Sequence, residues 1–369
     1  MPSVYLDLIP IPEAIKRLRG ALDPSVLGAE TVPSDEAVGR VLAAPVHARA
    51  SSPTAHCAAM DGIALAAEET FAAREGEPVA IPGDRYQRIS TGMTLPAFAD
   101  AVVMAENVVF EDGSAMLEAP AFPWQHVRRI GEDIVATELL LPRGRRLSAY
   151  DLGALLSAGV YEVQVVARPS LALIPTGDEI LDYTKRPAPG PGQVVESNSV
   201  MLREMARGFG IAAERIPPVK DEPDSLERAV REALERGFSG VALVAGSSAG
   251  DRDHAREVME RVGEVLVHGV QAMPGKPALL AKSGDGRLLA CIPGYPVSAA
   301  VAFEQLVGPL LCHLGRLPVP ERALAEVELT RAVPSRPGME EFVRVSVGEV
   351  PRPEGPSLQA TPLARGPGC

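Results

Sequence analysis

The stretch GVALVAGSSAGDRDHAREVMERV, Gly240 to Val262, reads as a strand, a small-residue turn and a helix in direct succession. Gly240 to Ala245 is apolar throughout, the pattern of a strand covered on both faces. Ala255, Val258 and Val262 then recur at helical spacing. A strand buried on both faces calls for parallel neighbours joined by crossover helices, and the flanking sequence provides them. Leu171 to Ile174 is a second buried-type strand, Asn198 to Phe209 a helix, and Ile211 to Ile216 a strand. Asp224 reads as the cap of a helix whose apolar face is Leu226, Ala229, Val230, Ala233 and Leu234. A last helix is expected over Val297 to Leu314. Residues 167–315 are therefore expected to form a three-layer α/β domain with a parallel-dominated sheet.

Working outward, Ile11 to Leu22 reads as a helix with Ile15, Leu18 and Leu22 on one face. A second helix is expected from Ser34, an N-cap followed by Asp35 and Glu36. From Pro53 to Pro123 short apolar pieces such as Asp100 to Met104, Val108 to Phe110 and Ala115 to Leu117 alternate with Gly, Pro and Asp, the texture of a small β domain. Ser148 and Asp151 form a capping-box pattern, and Gly159 ends that helix. Val160 to Val166 alternates, with Tyr161, Val163 and Val165 on one side. The expected whole is multidomain, α/β plus β: residues 1–50 with 124–166 as an elongated N-terminal linking domain, 51–123 as an inserted β domain, 167–315 as the α/β domain, and 316–369 as a short C-terminal β domain that reads as truncated.

Composition narrows the function. The 369 residues are 46% apolar and 23% charged, as in a soluble globular protein. A formal net charge of -12 and only 4% aromatics argue against a nucleic-acid binder. No secretory signal or membrane span is read, so a cytoplasmic protein without a membrane partner is expected. Cys57, Cys291, Cys312 and Cys369 form no CxxC pair, which suits reduced thiols. The six histidines lack metal-ligand spacing and are read as structural or surface residues.

In a parallel sheet, ligands bind beyond the carboxyl ends of the strands. After Ile174 comes PTGDEI, where Thr176 and Gly177 form a turn and Asp178 and Glu179 offer hard oxygen ligands suited to Mg2+. After Ala245 comes GSSAGDRD, in which Gly246, Ser247, Ser248 and Gly250 can cradle an anion at a helix start and Asp251 and Asp253 can hold a metal. MPGKP then presents Lys276, in a chain of only five lysines, as a compact charge for a phosphate or oxyanion. IPGYPVS, with Pro293, Gly294, Pro296 and Ser298, is a stiff turn opening a helix. Four such turns converging on one sheet edge describe a site for a phosphorylated or nucleotide-bearing ligand with a divalent ion.

These four turns, in this order, resemble the third domain of the MoeA-type molybdopterin molybdenumtransferases, the family that includes the gephyrin E domain. SSPTAHCAAMDGIAL (Ser51 to Leu65), RISTGMTLP with ADAVVMAEN (Arg88 to Asn107) and RRIGEDI (Arg128 to Ile134) resemble the family's other segments. The resemblance implies insertion of molybdenum or tungsten from molybdate or tungstate into adenylylated molybdopterin, with Mg2+ assisting and AMP released. It implies a homodimer, with residues 1–50 and 124–166 serving dimerisation, and the molybdopterin adenylyltransferase as a partner. Its active site lies between the α/β domain of one subunit and the β domain of the other. Carried over, it assigns Asp61, Asp133 and Glu179 to the metal-insertion end and Thr91 and Arg128 to an oxyanion. It assigns Lys276 to phosphate charge, Asp221 and Asp253 to a metal or to the nucleotide's polar groups, Glu179 also to a metal, and Pro293, Gly294 and Pro296 to the nucleotide end. Three positions depart from the family: GSSAG replaces GGVSVG, Met273 replaces a lysine, and PGYP replaces PGNP. A molybdopterin adenylyltransferase would carry a glycine-threonine loop absent here. A binder or scaffold without turnover would not need the carboxylates.

Overall fold

The computed structural model describes residues 7–245, 254–351 and 355–363. The chain divides into two units, Met1–Ala29 with Val166–Cys369, and Glu30–Val165. The first contains α1 (Ile11–Ala21), β1 (Ser170–Thr176), α2 (Asn198–Gly208), β2 (Ala212–Arg215), α3 (Pro223–Glu235), β3 (Gly240–Ala245), α4 (His254–Val262), β4 (Gly263–His268), β5 (Leu279–Ser283), β6 (Leu288–Pro293) and α5 (Pro296–Leu314). Its strands form one sheet in the order β2-β1-β3-β6-β5-β4. The first four run parallel, and β5 runs antiparallel to both β6 and β4.

Alternation along each strand separates two cores. Leu171 and Leu173 of β1 join Leu18 of α1, Leu202 of α2 and Phe303 and Leu310 of α5 on one face. Ala172 and Ile174 join Leu226 and Val230 of α3 and Val258 of α4 on the other. Both sets are apolar because both faces of the sheet are covered, which is why the strands read as continuous apolar runs. Helix α5 is long and apolar enough to cross a membrane by length and composition, yet 72% of that window is buried within this unit as a core helix. A wider π turn, Phe303–Val307, precedes Pro309, whose missing N–H and bulky ring are incompatible with regular α hydrogen bonding there.

Several local expectations are corrected. Ser34 begins a single 3-10 turn, Ser34–Glu36, rather than a long helix, and its hydroxyl donates to Val160 O at 2.9 Å instead of capping. Helix α3 starts at Pro223 after Glu222, so Asp224 adds first-turn charge without capping. Tyr161 is 66% exposed and precedes the strand Glu162–Val166, in which Val163 and Val165 are the buried partners. Helix α1 packs into the α/β core, so residues 1–29 group with the first unit and not with the rest of 1–50.

In the second unit, Gly62–Leu65 lies between Tyr86–Ile89 and Ala101–Met104, antiparallel to both. Ser114–Leu117 lies likewise between Val79–Pro82 and Val109–Glu111. Ile63, Leu65, Ile81, Val103 and Leu117 fill the space beneath them. The Ser148–Asp151 capping box is present, and Gly159, at φ 72°, ends that helix. In the C-terminal part, Val345–Val350 and Ser357–Pro362 pair antiparallel, with Glu328–Leu329 beside them, while Glu340–Glu341 pairs with Ala272–Met273.

Candidate functional site

Strand register brings the predicted turns to one edge. Thr176 at the end of β1 lies opposite Ala245 of β3, which lies opposite Pro293 of β6. Because β5 runs the other way with Leu279 opposite Cys291, the PGKP loop arrives at this same edge. The TGDE, PGKP and PGYP segments are thereby neighbours in space. Gly246, Ser247, Ser248, Gly250, Asp251 and Asp253 lie outside the described residues.

A cavity of about 540 Å³ opens here, lined among others by Thr176, Gly177, Glu179, Asp221, Gly294 and Pro296 of the predicted set. Gly177 has φ 142°, and an added Cβ would sit 2.9 Å from Glu179 Oε1, so the turn depends on glycine. A parallel bridge from Thr176 to Val219 guides the chain toward Asp221. Thr176 is 1% exposed, and its Oγ1 has no hydrogen-bond partner among the described residues. Asn198 Nδ2 donates to Gly294 O at 2.6 Å, while its buried Oδ1 has no partner among the described residues. Buried polar atoms left unpaired cost about 1–3 kcal/mol each, and both of these belong to residues that line the cavity.

Sequence reasoning missed Asn198 and Glu196. The run ESNS reads as an ordinary helix start, and only the approach of Gly294 shows that Asn198 faces the cavity. Glu179, Glu196 and Asp221 all line the cavity, and none of its described lining residues is lysine or arginine. Glu179, which the resemblance assigns with Asp61 and Asp133 to the insertion end, lines the same cavity as Gly294 and Pro296 of the nucleotide end. Pro293 and Ser298 are buried in β6 and α5 and do not line the cavity. Lys276 is half-buried on the neighbouring loop, also outside the lining. Among the described residues, no group of three His, Cys, Asp or Glu side chains is placed to hold a metal ion.

The remaining predicted residues lie in the second unit, in two pairs. Asp61 Oδ1 accepts from Thr91 N at 2.7 Å and from Thr91 Oγ1 at 3.1 Å, so the threonine orients the aspartate rather than standing ready for an oxyanion. Arg128 forms an ion pair with Asp133, whose hydrogen bond and charge raise the arginine pKa further above its ordinary value. Both pairs hang on the short strand Cys57–Ala58. Val127–Arg128 pairs with it directly, and the Thr91 turn is tied to Ala58 O by Gly92 N at 2.8 Å.

Comparison with known proteins shows the family. Residues 9–159 match the MoeA N-terminal region (domain I and II). Residues 172–313 match a family described as "Probable molybdopterin binding domain". The chain belongs to the MoeA family. It is 30% identical to a molybdopterin molybdenumtransferase of Synechococcus elongatus over 81% of this chain and 78% of that protein. It is 31% identical to molybdopterin molybdenumtransferase 2 of Mycobacterium tuberculosis over 85% of this chain and 82% of the relative. The solved molybdopterin biosynthesis MoeA protein of Pyrococcus horikosii superposes with a TM-score of 0.76 at 29% identity, covering 97% of this chain and 90% of that one.

The described thiols of this MoeA-family chain differ in burial. Cys312 is buried in α5, and burial pushes its thiol up to about 11. At pH 8 its thiolate fraction is then on the order of one in a thousand. Iodoacetamide at that pH is expected to label the half-buried Cys57 and to spare Cys312 until the protein is denatured, as peptide mass mapping would read.

Proposed function

We propose that this MoeA-family chain is a molybdopterin molybdenumtransferase. It transfers molybdenum from molybdate, or tungsten from tungstate, to the dithiolene of adenylylated molybdopterin, and water cleaves the phosphoanhydride to release AMP and leave the phosphate on molybdopterin. The observation that carries the reading is the cavity at the carboxyl edge of the sheet, lined by the TGDE and PGYP turns and by two residues whose buried polar atoms are unpaired among the described residues. The hydroxyl and amino groups of a nucleotide match Thr176 Oγ1 and Asn198 Oδ1, the second of which can only accept.

Mg2+ fits the donor set. Glu179 and Asp221 bring hard carboxylate oxygens to one cavity, and Mg2+ is commonly held by one or two carboxylates plus substrate phosphates. When bound it would neutralise charge on the phosphate oxygens. Lys276, carried to the same edge by a proline-bounded loop, adds a compact cation for the leaving phosphate. Each metal–sulfur bond formed from a thiol releases a proton, and oxide leaves the oxyanion as water. Asp61, oriented by Thr91, is suited to accept and return such a proton, while Arg128 beside Asp133 offers charge to the oxyanion. Two copies of the chain act together in this reading. The adenylyltransferase that makes the substrate is the expected partner, in the cytoplasm.

The test is anaerobic incubation with adenylylated molybdopterin, Mg2+ and molybdate or tungstate, following AMP and metal-loaded cofactor. AMP release in step with metal loading is expected. Tight binding with neither product would make the chain a binder.

A further inference from the structure

We infer that Arg215, which does not line the cavity, is a positioning residue that holds the cavity wall in its binding shape. This rests on the function proposed above. The wall is built largely from the segment between Gly177 and Asn198, including Glu179, Ile180, Val194, Val195 and Glu196. That segment has little structure of its own. Its two limbs meet in one short parallel pairing, Ile180–Leu181 with Val194–Val195. The intervening RPAPGPGQ is rich in proline and glycine and mostly exposed.

Arg215, the last residue of the edge strand β2, grips both limbs. Its Nη2 donates to Asp182 Oδ1 at 2.7 Å, next to Leu181. Its Nε donates to Glu196 Oε2 at 3.1 Å, next to Val195. The guanidinium carbon also lies 4.7 Å from the centre of the Tyr183 ring. The Arg215 side chain is only 9% exposed and that of Glu196 3%, so this pairing is sheltered from solvent. Glu196 in turn accepts from Ser199 N at 2.8 Å and Ser199 Oγ at 2.6 Å, fixing the start of α2. Asn198, the residue immediately before Ser199, donates to Gly294 O. Hydrogen bonds thus link Arg215 through Glu196 to Ser199, and the chain carries that order to Asn198 and its bond to Gly294 on the cavity lining. The planar fork of arginine meets two carboxylates and a ring at once, which the single ammonium of lysine cannot do.

The experiment compares wild type, R215M and R215K by AMP affinity, steady-state AMP release and trypsin cleavage after Lys185. R215M should weaken AMP binding and raise KM for adenylylated molybdopterin about tenfold or more, with kcat changed by less than about threefold. Cleavage after Lys185 should accelerate, and saturating AMP should slow it again. R215K should give partial recovery of both readouts. Unchanged AMP affinity and cleavage in R215M would overturn the inference, as would a loss confined to kcat. Should R215M fail to fold, D182N and Y183A decide: each leaves the Arg215–Glu196 pair and loosens one limb, so faster cleavage and weaker AMP binding support the role and unchanged values refute it. If wild type neither binds AMP nor releases it, the proposed function fails, while the cleavage comparison still tests what Arg215 holds.

Discussion

Glu179→Gln lowers metal-coupled AMP release by about a hundredfold or more while leaving the melting temperature unchanged. The magnitude is that of removing a group that handles protons or charge in a transition state. The unchanged stability follows from position: Glu179 is exposed, and no side-chain ion pair ties it to another described residue. The glutamine keeps the shape of the side chain and removes the charge that a divalent ion needs. Asp133→Asn is the companion, expected to remove the charge that Asp133 sets against Arg128, leaving the 3.9 Å pair with Glu132, and to alter oxyanion saturation more than the AMP step. Single-turnover assays of both variants with adenylylated molybdopterin and molybdate give the answer. Full activity in both would remove these carboxylates from the mechanism.

Gly62→Ala is expected to destabilise the second unit by about 3 kcal/mol or more and to abolish activity with it. A Cβ at this position would lie 1.9 Å from Val103 O and 2.9 Å from the adjoining carbonyl carbon. Both are backbone atoms of the paired strand Ala101–Met104, so no side-chain rotation relieves the clash. The strand must shift, and Asp61 shifts with it, because Asp61 O accepts from Ala105 N at 3.0 Å. Gly20→Ala is the matched control. It lies within α1 with nothing within 4 Å of the added carbon, and should stabilise by up to about 1 kcal/mol. Thermal unfolding of the three proteins reads both effects, and equal melting temperatures for G62A and wild type would contradict the steric argument.

The elements most legible in sequence were those whose residues carry the burial pattern themselves. Gly240–Ala245 was read to the residue, and α3 presented the expected Leu226, Val230 and Ala233 to the core. Reading failed where a local signal had two uses. Ser34 carries the side chain of a helix cap, but its hydroxyl is taken by Val160 O, 126 positions away. Tyr161 continued an alternation that begins in space only at Glu162.

The candidate site divides in the same manner. Glycines and prolines after each strand are local necessities of a sharp turn, so Thr176, Gly177, Gly294 and Pro296 could be named from their place in the chain. The partnerships could not. Thr91 with Asp61 spans 30 positions, Arg215 with Asp182 spans 33, and Asn198 with Gly294 spans 96. Hydrophobic period specifies which face of an element is buried, but it is nearly blind to which strand lies beside which and in what register. By itself the sequence therefore determined the two-sided sheet, the order of its turns and the edge where a ligand should bind. Strand order and register, set only when the whole chain packs, decided that Asn198 faces the cavity, that Glu179 shares it with Gly294, that Thr91 orients Asp61, and that residue 62 has no room for a side chain.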